Sequence, residues 1–258
     1  MADSAFARTA WTSYRWLLGW LRPAAFLAAK VANPVGQVVL FSLLGAAVAG
    51  GRPASWYVVG NALLVCAFGG LYGLSITLST ARNAGLVGYL AIAPRPSLWT
   101  LSAFALPHVL DGLVTSAALL TGGLLVTRTV PGAPVALLVC VLLAAASAAA
   151  LGLVTSQFSL LARDGRGILT NVVYLLTLLL CGANLDPDRL PALLRPAAEV
   201  WPLRHAIGAA RHAVDGRWAV GEMAAELAVA AVLAAVAVLG AHHLQSLARR
   251  RGTLDGWL

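Results

Sequence analysis

Charge is scarce in this chain: Asp, Glu, Lys and Arg make up only 11% of its 258 residues. An ordinary soluble domain carries about 25%, so a water-facing surface wrapped around a globular core is excluded. Lysine is nearly missing. Lys30 is the only one, between Ala29 and Val31, and a Walker A loop needs a Gly-Lys-Ser/Thr ending, so the chain cannot bind ATP that way. Cys66, Cys140 and Cys181 are odd in number, lie inside apolar runs and lack metal-ligand spacing, which excludes a disulfide framework and reads as small core residues. There is no Gly-x-Ser-x-Gly elbow, no His-Glu-x-x-His and no aspartate cluster. Hydrolase and metalloenzyme chemistry therefore lack their usual residues, and neither catalysis nor a cofactor is expected.

What remains is apolar. Hydrophobic residues make up 60% of the chain, the mean hydropathy is +0.82, and the apolar runs are long and do not alternate. In hydrocarbon each backbone amide must be satisfied within its own helix or a closed barrel, and runs of this kind are not barrel strands. The expected fold class is all-α: a polytopic membrane protein with membrane lipids as its solvent. The net charge of +8 does not imply nucleic acid, because the arginines stand singly between apolar runs and cluster only at Arg249 to Arg251, as a positive-inside topology requires. The near-total preference for arginine over lysine, with abundant alanine, suggests a high-GC bacterial coding source.

Runs near the 20 residues needed for about 30 Å of hydrocarbon lie at Val31 to Ala49, Trp56 to Leu78, Leu98 to Val126, Pro134 to Leu160, Ile168 to Ala183 and Ala219 to Leu239. The fifth is short. Six transmembrane helices put both termini on one side, and Arg8, Arg15, Arg22, Arg82, Arg95, Arg163 and Arg166 in the segments on that side make it the cytoplasm. Arg189, Arg195, Arg204, Arg211 and Arg217 in the third outer segment run against this bias. The expected location is the inner (plasma) membrane.

Residues 1–23 form a unit of their own. Arg8, Thr12, Arg15, Gly19 and Arg22 share one helical stripe, and Trp11, Tyr14, Leu18 and Leu21 share another, as in an amphipathic helix lying at the interface. Residues 24–258 form the six-helix domain. Within it, residues 184–218 are too polar to span, yet Leu190, Leu193 and Leu194, then Val200, Trp201, Leu203, Ile207 and Ala210 recur at helical spacing between prolines. This predicts short re-entrant helices between spans five and six, with Leu193, Trp201 and Ile207 at an outer gate.

Among polar groups inside spans, His108 and Asp111 stand one helical turn apart just after Pro107. Such a pair relays protons or contacts a polar cargo, or else is mutually satisfied at a proline kink. Gly69, Gly70 and Gly73, and Ala148 with Gly152, form small faces for close helix packing. Glu222 and Glu226, one turn apart, suit an interfacial helix start. Asn33-Pro34 occurs once, whereas a water channel needs two such boxes. Residues 80–97 carry Arg82 and Arg95 around a short apolar pattern at Leu86, Tyr89, Leu90 and Ile92, with Gly85 and Gly88 allowing close approach and Pro94 and Pro96 ending it. A stretch of that kind docks on a partner or on lipid.

Taken together the chain resembles the type-2 ABC transporter permeases, particularly the small six-span bacterial subunits of the daunorubicin-exporter type. Arg22-Pro23 at the end of the first helix, Pro34, Phe41 and Gly45 in the first span, Gly85, Leu86 and Pro94 in the loop after the second, and Asn171, Tyr174 and Gly182 in the fifth carry the likeness, as do Leu190-Pro191, Pro202-Leu203-Arg204-His205-Ala206, Arg211 and Gly216 beyond it. The acidic residues usual in the family's cytoplasmic loop are absent here. The resemblance implies a permease subunit of an ATP-driven exporter, with separate ABC ATPase subunits docking on Arg82, Gly85, Leu86, Tyr89, Leu90 and Pro94. It implies a second copy of the chain or a second permease enclosing the path, and an amphipathic or hydrophobic cargo such as a drug, antibiotic or lipid, hence a role of the antibiotic-resistance kind. His108, Asp111 and Asn171 are the expected path or relay residues. The alternative is a self-contained proton-coupled transporter built on His108 and Asp111, for which inverted-repeat symmetry would be needed.

Overall fold

The computed structural model of the chain describes residues 2–20, 31–48, 52–83, 97–161 and 166–251. Its long helices are α1 (Ala2–Trp20), α2 (Asn33–Val48), α3 (Ala54–Phe68), α4 (Leu74–Asn83), α5 (Ser97–Val126), α6 (Pro134–Leu161) and α7 (Arg166–Leu180). A 3₁₀ turn at Pro187–Arg189, the short helices α8 (Arg195–Glu199) and α9 (Arg204–Val214), and α10 (Val220–Arg251) complete it. Among the described residues there is no strand.

Four helical stretches are long and apolar enough to cross a bilayer: Ala54–Leu78, Trp99–Val126, Pro134–Phe158 and Val220–His243. Two more apolar stretches, Asn33–Gly45 and Ile168–Leu180, are shorter. α2 and α7 have 16 and 15 residues, or roughly 24 and 22 Å at 1.5 Å per residue. Stripes of exposed aliphatic residues run along several helices: Leu106, Leu110 and Val114 on α5, Val135, Leu138 and Leu142 on α6, Val232, Val236 and Leu239 on α10. Spacings of three and four put each set on one helix face, as in a helix solvated by lipid.

α3 is the hub. Of the most apolar 18 residues within Ala54–Leu78, 78% are buried, against 22% for those within Trp99–Val126 and Val220–His243. Glycine makes this possible. A single π-helical turn, Gly69–Gly73, joins α3 to α4. Its glycines let neighbouring backbones close in: a methyl on Gly69 would meet the His108 carbonyl at 2.8 Å, one on Gly70 the Ala148 carbonyl at 2.6 Å, and one on Gly73 the His108 ring at 2.6 Å. On α6, a methyl on Gly152 would collide with the Gly70 carbonyl. The small faces seen in the sequence thus pack α3 between α5 and α6.

α1 lies against α5: the Phe6 ring meets Trp99 edge-on at 5.4 Å, and the buried Ser13 Oγ donates to the Phe104 carbonyl at 3.2 Å. Trp11 stays 59% exposed.

Three connections meet at one end of the bundle. Arg52, between α2 and α3, forms an ion pair with Asp186 at 2.7 Å. The turn between α5 and α6 donates from the Gly132 and Ala133 amides to the Val214 and Ala213 carbonyls at the end of α9. Asn61 of α3 donates to Asn184 at 2.7 Å. Burial alone would raise the Asp186 carboxyl, but the bonds from Arg52 and the Asp188 amide outweigh it and hold it below its usual range.

α9 is bolted to this end by two charges, one fully buried and one half-buried. Glu226, fully buried on α10, accepts from the backbone amides of Leu203 at 2.8 Å, His205 at 3.1 Å and Ala206 at 3.0 Å. It supplies from another helix the N-terminal cap that Leu203 cannot, and Leu203 sits at φ 69°, a left-handed conformation costly for a branched side chain. Sequence spacing alone reads Glu226 as interfacial; the fold buries it, because the arriving helix N-terminus offers three donors to a carboxylate. Arg211 lies over the Trp56 ring, 3.2 Å from its centroid, and donates to the Trp56, Gly182 and Ala183 carbonyls.

Candidate functional site

A groove of about 450 Å³ opens between α2 and α7 with α3 at its back. On α2, Asn33, Gln37 and Phe41 recur every fourth residue and so share the face that lines it. On α7, Tyr174 and Leu178 do the same, and Phe68, at the end of α3, forms the back wall.

The π-helical turn shapes that wall. Its glycines face α5 and α6, while its one aromatic residue, Tyr72, stacks on Phe68 at 4.6 Å between ring centroids. Tyr174 stands nearly perpendicular to both, at 5.9 Å from Phe68 and 5.5 Å from Tyr72. These are the offset and edge-to-face arrangements that ring quadrupoles favour, each contributing about 0.5–1.5 kcal/mol beyond burial. A widened turn inside a spanning helix, next to such a cluster, is the local irregularity that tends to accompany a functional site.

Each tyrosine is held by an amide. Tyr72 Oη donates to Asn171 Oδ1 at 2.6 Å, and Tyr174 Oη donates to Gln37 Oε1 at 2.8 Å. The two pairs tie the π-helical turn to α7 and α7 to α2. Further along, Trp201 Nε1 donates to the buried Thr177 Oγ1 of α7 at 3.1 Å, which connects the outer segment to the same helix. The groove wall therefore combines aromatic faces with uncharged amides, a lining suited to an amphipathic molecule.

The residues expected from sequence fall in three places. Asn171 belongs to the aromatic cluster through Tyr72. His108 is fully buried behind α3, with Nε2 2.7 Å from Thr77 Oγ1 and its ring against Gly73. Asp111 lies on the side of α5 toward α1, where, after burial, its charge raises the Tyr14 hydroxyl. Of the three outer positions, Leu193 is 88% exposed and Ile207 is fully buried on the inner face of α9, while Trp201 reaches α7; the fold does not gather them into one constriction. Arg82 lies on α4, and Gly85, Leu86, Tyr89, Leu90 and Pro94 lie outside the described residues.

Gln37, Phe68 and Tyr72 escape sequence reasoning, although a signal for each exists. Gln37 is an isolated amide in an apolar run, and Phe68 and Tyr72 form an i, i+4 aromatic pair interleaved with glycines. Helical spacing shows that such residues share a face, but the partner across the gap is 99 to 137 residues away in the chain.

A family model described as ABC-2 type transporter matches residues 10–214. No curated protein matches the chain.

Proposed function

The chain belongs to the ABC-2 type transporter family, and from that premise we propose that it is the membrane-spanning half of an ATP-driven exporter whose cargo moves along the groove between α2 and α7. It is a permease subunit and a membrane transport component, with ATP hydrolysis in separate subunits. The observation that carries the cargo path is the groove itself: the rings of Phe41, Phe68 and Tyr174 and the Tyr174–Gln37 pair on the faces of α2, α3 and α7, with Tyr174 the only titratable side chain among the lining residues described. An amphipathic or hydrophobic cargo, a drug, an antibiotic or a lipid, suits such walls.

Six spans fit this role, α2 and α7 being the two shorter ones. The gathering of the α2–α3 turn, the α5–α6 turn and the α7–α10 segment at one end supports that count, since every second connection must then face outward. Both termini lie in the cytoplasm of a bacterial cell, with α1 at the inner face of the plasma membrane and residues 184–218 capping the outer mouth. A groove open on one side needs a second wall, so the path forms between two copies of this chain or between this chain and a second permease. Residues 80–97 receive the ATPase through Arg82, Gly85, Leu86, Tyr89, Leu90 and Pro94. Family membership favours this reading over a proton-coupled transporter, in which His108 and Asp111 would carry the coupling ion.

Co-purification tests both the partner and its docking segment. The full-length chain, expressed with an ABC ATPase encoded beside it, should retain that ATPase in detergent and in reconstituted vesicles. Replacing Leu86 and Leu90 with aspartate should release it without preventing membrane insertion. An unmodified chain that transports with no ATPase present would overturn the proposal, and a doubly substituted chain that keeps its ATPase and transports normally would remove the coupling role from residues 80–97.

A further inference from the structure

Two turns meet at the rim of the bundle. Residues 127–133 join α5 to α6 and residues 215–219 join α9 to α10, and glycine lets them touch: a methyl on Gly132 would meet the Gly216 Cα at 2.6 Å. The rim they form is apolar where a water-facing turn would be polar. Val126 and Val130 are 84% and 86% exposed, and across the contact Trp218 and Val220 are exposed as well. Because α5 and α6 are long and apolar enough to cross a bilayer, the turn between them lies at a membrane surface, where lipid covers such side chains and tryptophan anchors at headgroup level.

Arg128 stands on this rim at φ 53°. The Arg128 and Thr129 amides donate to the Leu125 and Leu124 carbonyls at 3.1 and 2.9 Å, which closes the end of α5 in the pattern whose left-handed position glycine fills at least cost. The helix dipole favours a cation anywhere in the last turn, so it does not explain why an arginine occupies the strained place. Nor does a partner inside the fold. At this end of the bundle Arg52, Arg204 and Arg217 pair with carboxylates, Arg195 and Arg211 donate to backbone carbonyls, and Arg189 stands next to Asp188 in the 3₁₀ turn. The Glu222 carboxylate of α10 is turned to His212 and Gly208 of α9. Arg128 is exposed, has no ion pair among the described residues and has no carboxylate in its own turn. We infer that this rim binds an anionic phospholipid, its phosphodiester on the Arg128 guanidinium and its acyl chains running past Val126, Leu125 and Gly122 on the exposed side of α5. A zwitterionic headgroup brings its own ammonium to its phosphate and so leaves the guanidinium less to gain. The inference rests on α5 and α6 crossing the bilayer and is independent of the cargo path.

Bimane attached to Gly122→Cys reads the lipid at this place, because Gly122 is exposed with nothing within 4 Å and the native cysteines are buried. The full-length protein is reconstituted in bilayers of phosphatidylglycerol and phosphatidylcholine, with dibrominated acyl chains on one lipid at a time. Brominated phosphatidylglycerol should quench as though enriched about fivefold at the label, the contribution of one arginine near an anionic surface. Arg128→Gly should abolish that enrichment while melting at or above the parent temperature, because glycine adopts φ 53° without strain. Arg189→Gln should leave the enrichment intact, as should replacing chloride by inorganic phosphate at equal ionic strength. Equal quenching by the two lipids in the parent, enrichment that survives Arg128→Gly, or its loss in Arg189→Gln overturns the inference. Loss on adding inorganic phosphate assigns Arg128 to a free anion and overturns it too. If neither brominated lipid quenches, Gly122 does not face lipid, and the spanning role of α5 falls together with the inference.

Discussion

Removing the Glu226 carboxylate tests how the outer segment is held. Its Oε1 accepts from Leu203, and its Oε2 accepts from both His205 and Ala206. Glu226→Gln keeps the size of the side chain but turns one oxygen into an NH₂ group that faces amide donors instead of accepting from them. One or two charge-assisted bonds are lost, at about 1.5–3 kcal/mol each, together with the attraction between a negative charge and a helix N-terminus, up to about 2 kcal/mol when buried. Local relaxation recovers part of this, so a net loss of about 3 kcal/mol is expected. In a chain of this size each kcal/mol moves Tm by roughly 2–4 °C, which gives a fall of about 6–12 °C. Cys66, Cys140 and Cys181 are all buried and make the assay convenient, because a thiol-reactive fluorophore added to the detergent-solubilised protein reports their exposure on heating. Glu226→Ala should fall at least as far, since it strands all three donors. A Glu226→Gln protein that melts within 1 °C of the parent would refute the claim that this carboxylate holds α9 in place.

Two further outcomes follow from packing and topology. Gly152→Ala should lower Tm by several degrees, because the added methyl strikes the backbone carbonyl of Gly70 and overpacking of this kind costs about 1–3 kcal/mol; Gly122→Ala, with nothing within 4 Å of the new methyl, should stay near the parent, and equal behaviour of the two would contradict the close α3–α6 contact. Single cysteines placed at Arg128 and Arg250 should react with an impermeant thiol reagent from opposite faces of the membrane, and equal labelling from outside would sink the six-span arrangement.

Helix type and length were legible from composition because the bilayer leaves so few alternatives. The runs read at Trp56 to Leu78 and Pro134 to Leu160 match the observed stretches Ala54–Leu78 and Pro134–Phe158 within two residues at each end. Gly69, Gly70, Gly73 and Gly152 were legible as packing faces for a related reason: small residues at fixed spacing have meaning only where another backbone comes close. The polar groups were harder. His108 and Asp111 looked like a pair because they are one turn apart, yet His108 meets Thr77 on one neighbour and Asp111 acts on Tyr14 of another, since the roughly 60° between them around α5 is enough to decide which helix each one sees.

The sequence by itself determined that the backbone satisfies its hydrogen bonds within apolar helices, that the chain has no ATP-binding loop of its own, and which faces can approach closely. Those properties are local: they depend on hydrocarbon length, residue size and the presence or absence of a lysine. Only the tertiary structure decided that Glu226 is a cap and not a surface charge, and that Tyr72 and Tyr174 reach Asn171 and Gln37. Each of these depends on a partner 20 to 137 residues distant. The worth of a polar group in a low-dielectric interior is set by that partner, which spacing along one helix does not specify.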